Sequence, residues 1–86
     1  MPTISMFYGI VVRMFFDEHA PPHFHAEYGE HKAVFDIRTL EMTAGDLPRR
    51  AQGLVSAWSK LHQSELLENW ELCRRHLDPQ KIEPLR

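Results

Sequence analysis

The sequence of 86 residues has one cysteine, a formal net charge of -2 and no long apolar run. A single cysteine cannot form an internal disulfide, and a lone thiol suits a reducing compartment, so we expect a cytoplasmic protein. The apolar stretch from Met6 to Val12 ends at Arg13 and is too short for a signal-sequence core or a membrane span. The charge balance gives no indication of a nucleic-acid partner, although it leaves one open. We therefore expect no membrane association.

Familiar motifs for phosphate and structural zinc binding are absent, because the chain has neither a glycine-rich loop nor a cysteine pair. Hydrophobic residues make up 43% and charged residues 26%, as in globular domains. The length allows one domain, 1–86, with 78–86 as a C-terminal tail. Ordering each residue costs about 1.5 kcal/mol, which nearly cancels the free energy gained when so small a chain buries its apolar surface. Burial against a small partner protein or a second copy of the chain would add stability.

Period-two alternation of apolar residues predicts strands in the first half of the chain. From Ile4 to Phe16 every even-numbered residue is apolar, which predicts one long strand with a bend or bulge at Gly9. The prolines at 21–22 predict a loop. Strands then follow at 23–28 and 31–37.

Gly29-Glu30 between these two strands favours a type II′ hairpin. In its register His23 faces Asp36, and one side of the hairpin is apolar while the other is polar. The predicted core side carries Phe24, Ala26, Tyr28, Ala33 and Phe35. The predicted polar side carries His23, His25, Glu27, Lys32, Val34 and Asp36. A short strand at 39–43 is expected next.

The second half predicts helices covering 48–77, entered through a turn with Asp46 as the capping carboxylate. One apolar stripe ends at Leu61 and a second begins at Leu66, and the two are out of phase by one residue. This slip predicts a break near 62–64. The sequence thus indicates an α+β domain: a small antiparallel sheet of three to four strands packed against two C-terminal helices or one kinked helix.

His23 and His25 form a His-x-His pair on one face of a strand, about 6.6 Å apart along the chain. Both rings can converge on a divalent transition metal ion, with Asp36 or His19 as a third ligand, and such a site could activate water. Without a metal, His23 beside Asp36 resembles a general base oriented by a carboxylate. A polar sheet face without any ligand is the third alternative.

Four more side chains are candidates for ligand binding: Glu27, Tyr28, Lys32 and Arg38. Lys32 and Arg38, with Arg13, would balance the charge of a phosphodiester. Against this, residues 1–47 carry seven acids and only three bases. A hydrolase, ribonuclease included, is therefore the alternative reading, with His23, His25 and Asp36 as its catalytic candidates.

Several motifs together resemble a family of short bacterial proteins catalogued as domain of unknown function 4160. They are Pro21-Pro22-His23-Phe24-His25-Ala26, Tyr28-Gly29-Glu30, Leu47-Pro48-Arg49-Arg50-Ala51, Glu68-Asn69-Trp70 and Lys81-Ile82-Glu83-Pro84-Leu85. The resemblance implies no particular reaction. It implies a second small protein encoded nearby, an arrangement similar to toxin-antitoxin pairs. The first expectation is therefore a cytoplasmic interaction protein that binds a small partner protein.

Overall fold

The computed structural model describes residues 2–86 and has five strands followed by two helices. The elements are β1 (Thr3–Phe7), β2 (Ile10–Arg13), β3 (His23–Tyr28), β4 (His31–Asp36), β5 (Met42–Gly45), α1 (Arg49–Leu61) and α2 (Gln63–Arg74). The strands form one antiparallel sheet in chain order. The α+β class is confirmed, and the sheet has more strands than the three to four expected.

The additional strand arises at Tyr8 and Gly9, where the chain reverses instead of bending. Both residues have positive φ, 49° and 82°, as in a type I′ turn. Phe7 then lies opposite Ile10 on the same face of the sheet. The core-facing position is therefore odd-numbered just before the turn and even-numbered after it. Phe7 is buried while Met6 and Tyr8 are exposed. The prediction of one long strand over 4–16 with a bend or bulge at Gly9 was wrong for this reason.

The hairpin of β3 and β4 has the predicted register, with His23 opposite Asp36. Only Gly29 of the two turn residues has positive φ, which agrees with a type II′ turn. The core-face prediction is confirmed for the four residues Phe24, Ala26, Ala33 and Phe35, which are buried. Tyr28 is the exception and is exposed, because it ends β3 beside the β1–β2 turn.

The short strand expected at 39–43 begins three residues later, as β5 (Met42–Gly45), because the chain first makes a tight turn. The Leu40 N–H donates to the Asp36 carbonyl at 2.7 Å, and the Asp36 carboxylate accepts the N–H of Arg38. This turn delays pairing with β4 until Met42.

α1 covers the core face of the sheet, with the Trp58 ring 5.3 Å from Phe7 and 5.9 Å from Phe24. The predicted break is confirmed at His62, whose φ of -123° and ψ of 24° are not helical. The predicted cap is wrong, since α1 begins after Pro48 without a side-chain cap. The expected helical range of 48–77 was also too long.

Residues 78–86 pack along β1 and both helices. Ile82 is buried and its N–H donates to the Ile4 carbonyl at 2.8 Å. The buried Asn69 amide exchanges two hydrogen bonds with the Gln80 backbone, at 2.9 and 2.8 Å, and Trp58 Nε1 donates to a carbonyl of the same segment. The tail is thus part of the packed domain. Within residues 2–86 no helix combines the length and the apolar character needed to cross a bilayer.

Candidate functional site

His23 and His25 project from the same face of β3, away from the face that carries Phe24. Their ring centroids are 5.3 Å apart, and their side chains are 16% and 25% exposed. Phe15 packs edge-on against His25 at 4.4 Å, and Trp70 of α2 lies 5.1 Å from His23. The two imidazoles are therefore held in place from both sides by aromatic rings, with one edge open to solvent.

The carboxylate that meets this pair is Glu18, from the loop between β2 and β3. Its Oε1 lies 2.6 Å from His25 Nε2 and 3.4 Å from His23 Nε2. One oxygen and two ring nitrogens fall within 4.8 Å of one another, which is the spacing of a group able to hold a metal ion. Glu18 belongs to no sequence motif and was not among the predicted site residues. The available signal was its position in the loop that leads into β3.

Asp36 is adjacent to His23 in the backbone register, but its carboxylate does not join this group. Its Oδ1 accepts the N–H groups of Arg38 and Thr39, at 2.7 and 3.1 Å. Such an Asx turn is a common use of aspartate after a strand. His19, the other predicted third ligand, is exposed and lies outside the group.

The hydrogen bonding of His23 sets the state of its ring. Nδ1 lies 2.8 Å from the Pro21 carbonyl, which can only accept, so Nδ1 carries a hydrogen. In the neutral ring Nε2 therefore presents a lone pair towards the Glu18 carboxylate. A cation between these two acceptors, which lie 3.4 Å apart, would remove their mutual repulsion. Carbonyl bonds of this kind also orient histidine ligands in metal sites.

The charge state of Glu18 agrees with a cation-binding position. Burial raises the pKa of Glu18, but the hydrogen bond from His25 and the positive charges of His23 and His25 outweigh it. The pKa of Glu18 is therefore lowered from its ordinary value of 4.5. At neutral pH the site holds an ionised carboxylate beside two imidazoles.

The distances can be compared with those of a metal site. Tetrahedral ligand atoms about 2.0–2.1 Å from an ion lie roughly 3.3–3.4 Å from each other. The separation of 3.4 Å between Glu18 and His23 matches this value, and the separation of 2.6 Å between Glu18 and His25 would have to open by less than about 1 Å. Three protein ligands leave one position for water.

The remaining predicted ligand-binding residues are spread over the hairpin. Glu27 pairs with Arg13 at 3.3 Å, and Lys32, exposed, lies opposite Glu27 in the register. Arg38 is exposed in the turn after β4, and Tyr28 lies at the far end of β3 on the other face.

Cys73, the single cysteine, is buried in the core on α2. Burial and the charge of Asp78 raise the pKa of its thiol. The thiol is therefore protonated at neutral pH and is a poor nucleophile.

Comparison with known protein families gives one result. The model of a family described as domain of unknown function (DUF4160) matches residues 9–71, which include Glu18, His23 and His25. No curated protein and no solved structure matches this chain.

Proposed function

This chain belongs to the DUF4160 family, and we propose that it is a metal-dependent hydrolase that binds a divalent transition metal ion through Glu18, His23 and His25. The observation that supports the proposal is the convergence of one carboxylate oxygen and two imidazole nitrogens within 4.8 Å. Two histidines and a glutamate form one of the ligand sets of catalytic zinc sites, which keep a fourth position open.

The chemistry follows from that open position. A metal ion lowers the pKa of its bound water to about 7 and so generates hydroxide near neutral pH. Glu18, His23 and His25 would hold the ion, which would supply this nucleophile for hydrolysis of a phosphodiester, and the leaving alkoxide would take its proton from solvent. Arg13 lies opposite His25 in the register and pairs with Glu27 at 3.3 Å, so a phosphate at the site would compete with that carboxylate for the guanidinium.

Metal binding can be tested by titrating untagged protein with Zn²⁺ and with Mn²⁺ in a calorimeter. We expect about one ion per chain in the wild type. Glu18→Gln and His25→Ala should weaken binding on the order of 100-fold or more, since even outer partners of metal ligands account for roughly 10- to 100-fold. His31→Ala is the matched control, because it removes an exposed histidine from the same hairpin. Equal binding by all four proteins would refute the site.

Hydrolysis requires a separate assay. The metal-loaded protein should cleave bis(p-nitrophenyl) phosphate or a short RNA, and His25→Ala and added chelator should both abolish cleavage. If the ion binds at this site and no phosphodiester is cleaved, the metal site stands and the hydrolase does not.

We also propose, as a second function, binding of a small partner protein in the cytoplasm. The observation that favours it is the exposure of large apolar side chains on a small domain: Met6, Tyr8, Phe16, Tyr28, Leu61, Leu67 and Leu77. The buried lone cysteine suits the reducing compartment. Copurification after co-expression with the neighbouring gene product tests the partner. A chain that stays monomeric beside that product would refute it, and self-association would point to a homo-oligomer.

A further inference from the structure

A second feature lies at the other end of β3 from the histidines. Tyr8 and Tyr28, 56% and 39% exposed, border a hollow of about 50 Å³ between the β1–β2 turn and the start of α1. Its lining is Tyr8, Ile10, Tyr28, Pro48, Arg50, Ala51 and Leu54. We call this hollow the tyrosine notch. It combines two exposed aromatic rings, an aliphatic floor and one cation.

The β1–β2 turn, which forms one side of the notch, has an unfavourable backbone conformation. Tyr8 has φ of 49°, in the left-handed region that a bulky side chain rarely adopts and that asparagine, aspartate or glycine would occupy without strain. Gly9 follows, and a Cβ there would stand 3.2 Å from the Tyr28 ring. The turn thus holds both rings at the rim, although neither is buried. Strained positions of this kind are found at functional sites.

The charge beside the notch is positive and unpaired. Arg49 and Arg50 open α1, whose first turn has no acidic residue and whose Pro48 provides no side-chain cap. Neither arginine takes part in any ion pair among residues 2–86. Cations at a helix N-terminus add to the positive end of the helix dipole. Carboxylates of a binding partner would offset the positive charge of the two arginines and of the helix N-terminus.

The size of the hollow decides what kind of ligand fits. Sites for small molecules occupy about 300–1,000 Å³. A hollow of about 50 Å³ takes one side chain, and tyrosine and arginine are the residues that dominate protein interfaces.

We propose that the tyrosine notch is a docking site for an acidic protein segment. One apolar side chain of that segment sits between Tyr8 and Tyr28, and its flanking carboxylates pair with Arg50, which lines the notch, and with the exposed Arg49 that precedes it. Tyr28 lies about 16 Å from His23 along β3, so this proposal is independent of the metal site; it rests on the protein-binding function proposed above and names its surface and the charge of its partner. A nucleic acid is less suited, because two arginines neutralise few phosphates and the chain is acidic overall.

The test uses the full chain and a fluorescein-labelled peptide with a central leucine flanked on each side by three glutamates. Fluorescence anisotropy should report binding that weakens as salt is raised. Tyr8→Asn, which suits the turn, and Arg50→Glu should each weaken binding about tenfold or more. Leu61→Ala and Lys60→Glu are the matched controls, because they change an exposed apolar residue and an exposed cation elsewhere on α1. Both should bind as the wild type does.

Two further arms complete the test. A peptide with lysine in place of glutamate should not bind, and His25→Ala should bind the acidic peptide normally. The proposal is overturned if the acidic peptide does not bind, if all variants bind equally, or if the lysine peptide binds as well. Binding of a uridine 12-mer instead, lost in the same two variants, would assign the notch to single-stranded nucleic acid and likewise overturn it.

Discussion

Deleting residues 80–86 should cost much of the stability of the fold. Ile82 is only 4% exposed, and burial of such a side chain contributes about 1.5–3 kcal/mol. Asn69, 2% exposed, and Trp58, fully buried, would lose their hydrogen-bond partners, at about 1–3 kcal/mol for each residue. Water entering the vacated groove keeps the loss near the lower bounds, so we expect about 4 kcal/mol. Folded chains of this length have roughly 4–13 kcal/mol in total.

Urea denaturation followed by circular dichroism measures this change directly. Lys81→Ala is the control within the same segment, because it removes only the exposed bond from the Lys81 ammonium to the Thr3 carbonyl, 2.9 Å long. That variant should unfold within about 0.5 kcal/mol of the wild type. If the deletion also changes the free energy of unfolding by less than about 0.5 kcal/mol, the segment does not hold the helices and β1 together as described.

Three other substitutions probe single positions. Gly45→Ala should destabilise the fold by about 2–4 kcal/mol in the same assay, because Gly45 has φ of 77° and an added Cβ would stand 2.1 Å from the Lys32 carbonyl oxygen; an unchanged midpoint would contradict this contact. Tyr8→Asn should raise stability by about 1 kcal/mol, seen as a melting temperature higher by roughly 4–8 °C, and a lower one would argue against strain in the turn. Glu18 has a lowered pKa, so its ionised form stabilises the fold above pH 4.5, and this contribution is lost as pH falls through the lowered pKa. Glu18→Gln should therefore be less stable than the wild type at pH 7, and the difference should shrink as pH falls below 4.5; a constant difference would refute the linkage.

The β3–β4 hairpin was predictable because two local signals agree there. Apolar alternation fixes the faces, and a glycine at the first of two turn residues fixes the register. The β1–β2 hairpin lacks such agreement. A tyrosine at its first turn position is not a turn signal, and the alternation continues through it. The helix break was predictable because the phase of an apolar stripe is itself a local property.

The site was only half predictable, since the histidine pair follows from strand geometry and its carboxylate does not. Backbone register brings Asp36 beside His23, but the Asp36 side chain serves a turn instead. Glu18 reaches the two histidines from a loop that is held in place by residues far away in the sequence. His76, after α2, pairs with Asp17 at 2.8 Å. No local sequence pattern connects these positions.

The hydrogen bond between Ile82 and Ile4 has a consequence for synthesis on the ribosome. The edge of β1 emerges early, but Ile82, which covers it, is translated 78 residues after Ile4. At roughly 5–20 residues per second, about 4–16 s separate the two. During that interval the nascent chain carries an unprotected strand edge that can pair with neighbouring polypeptides.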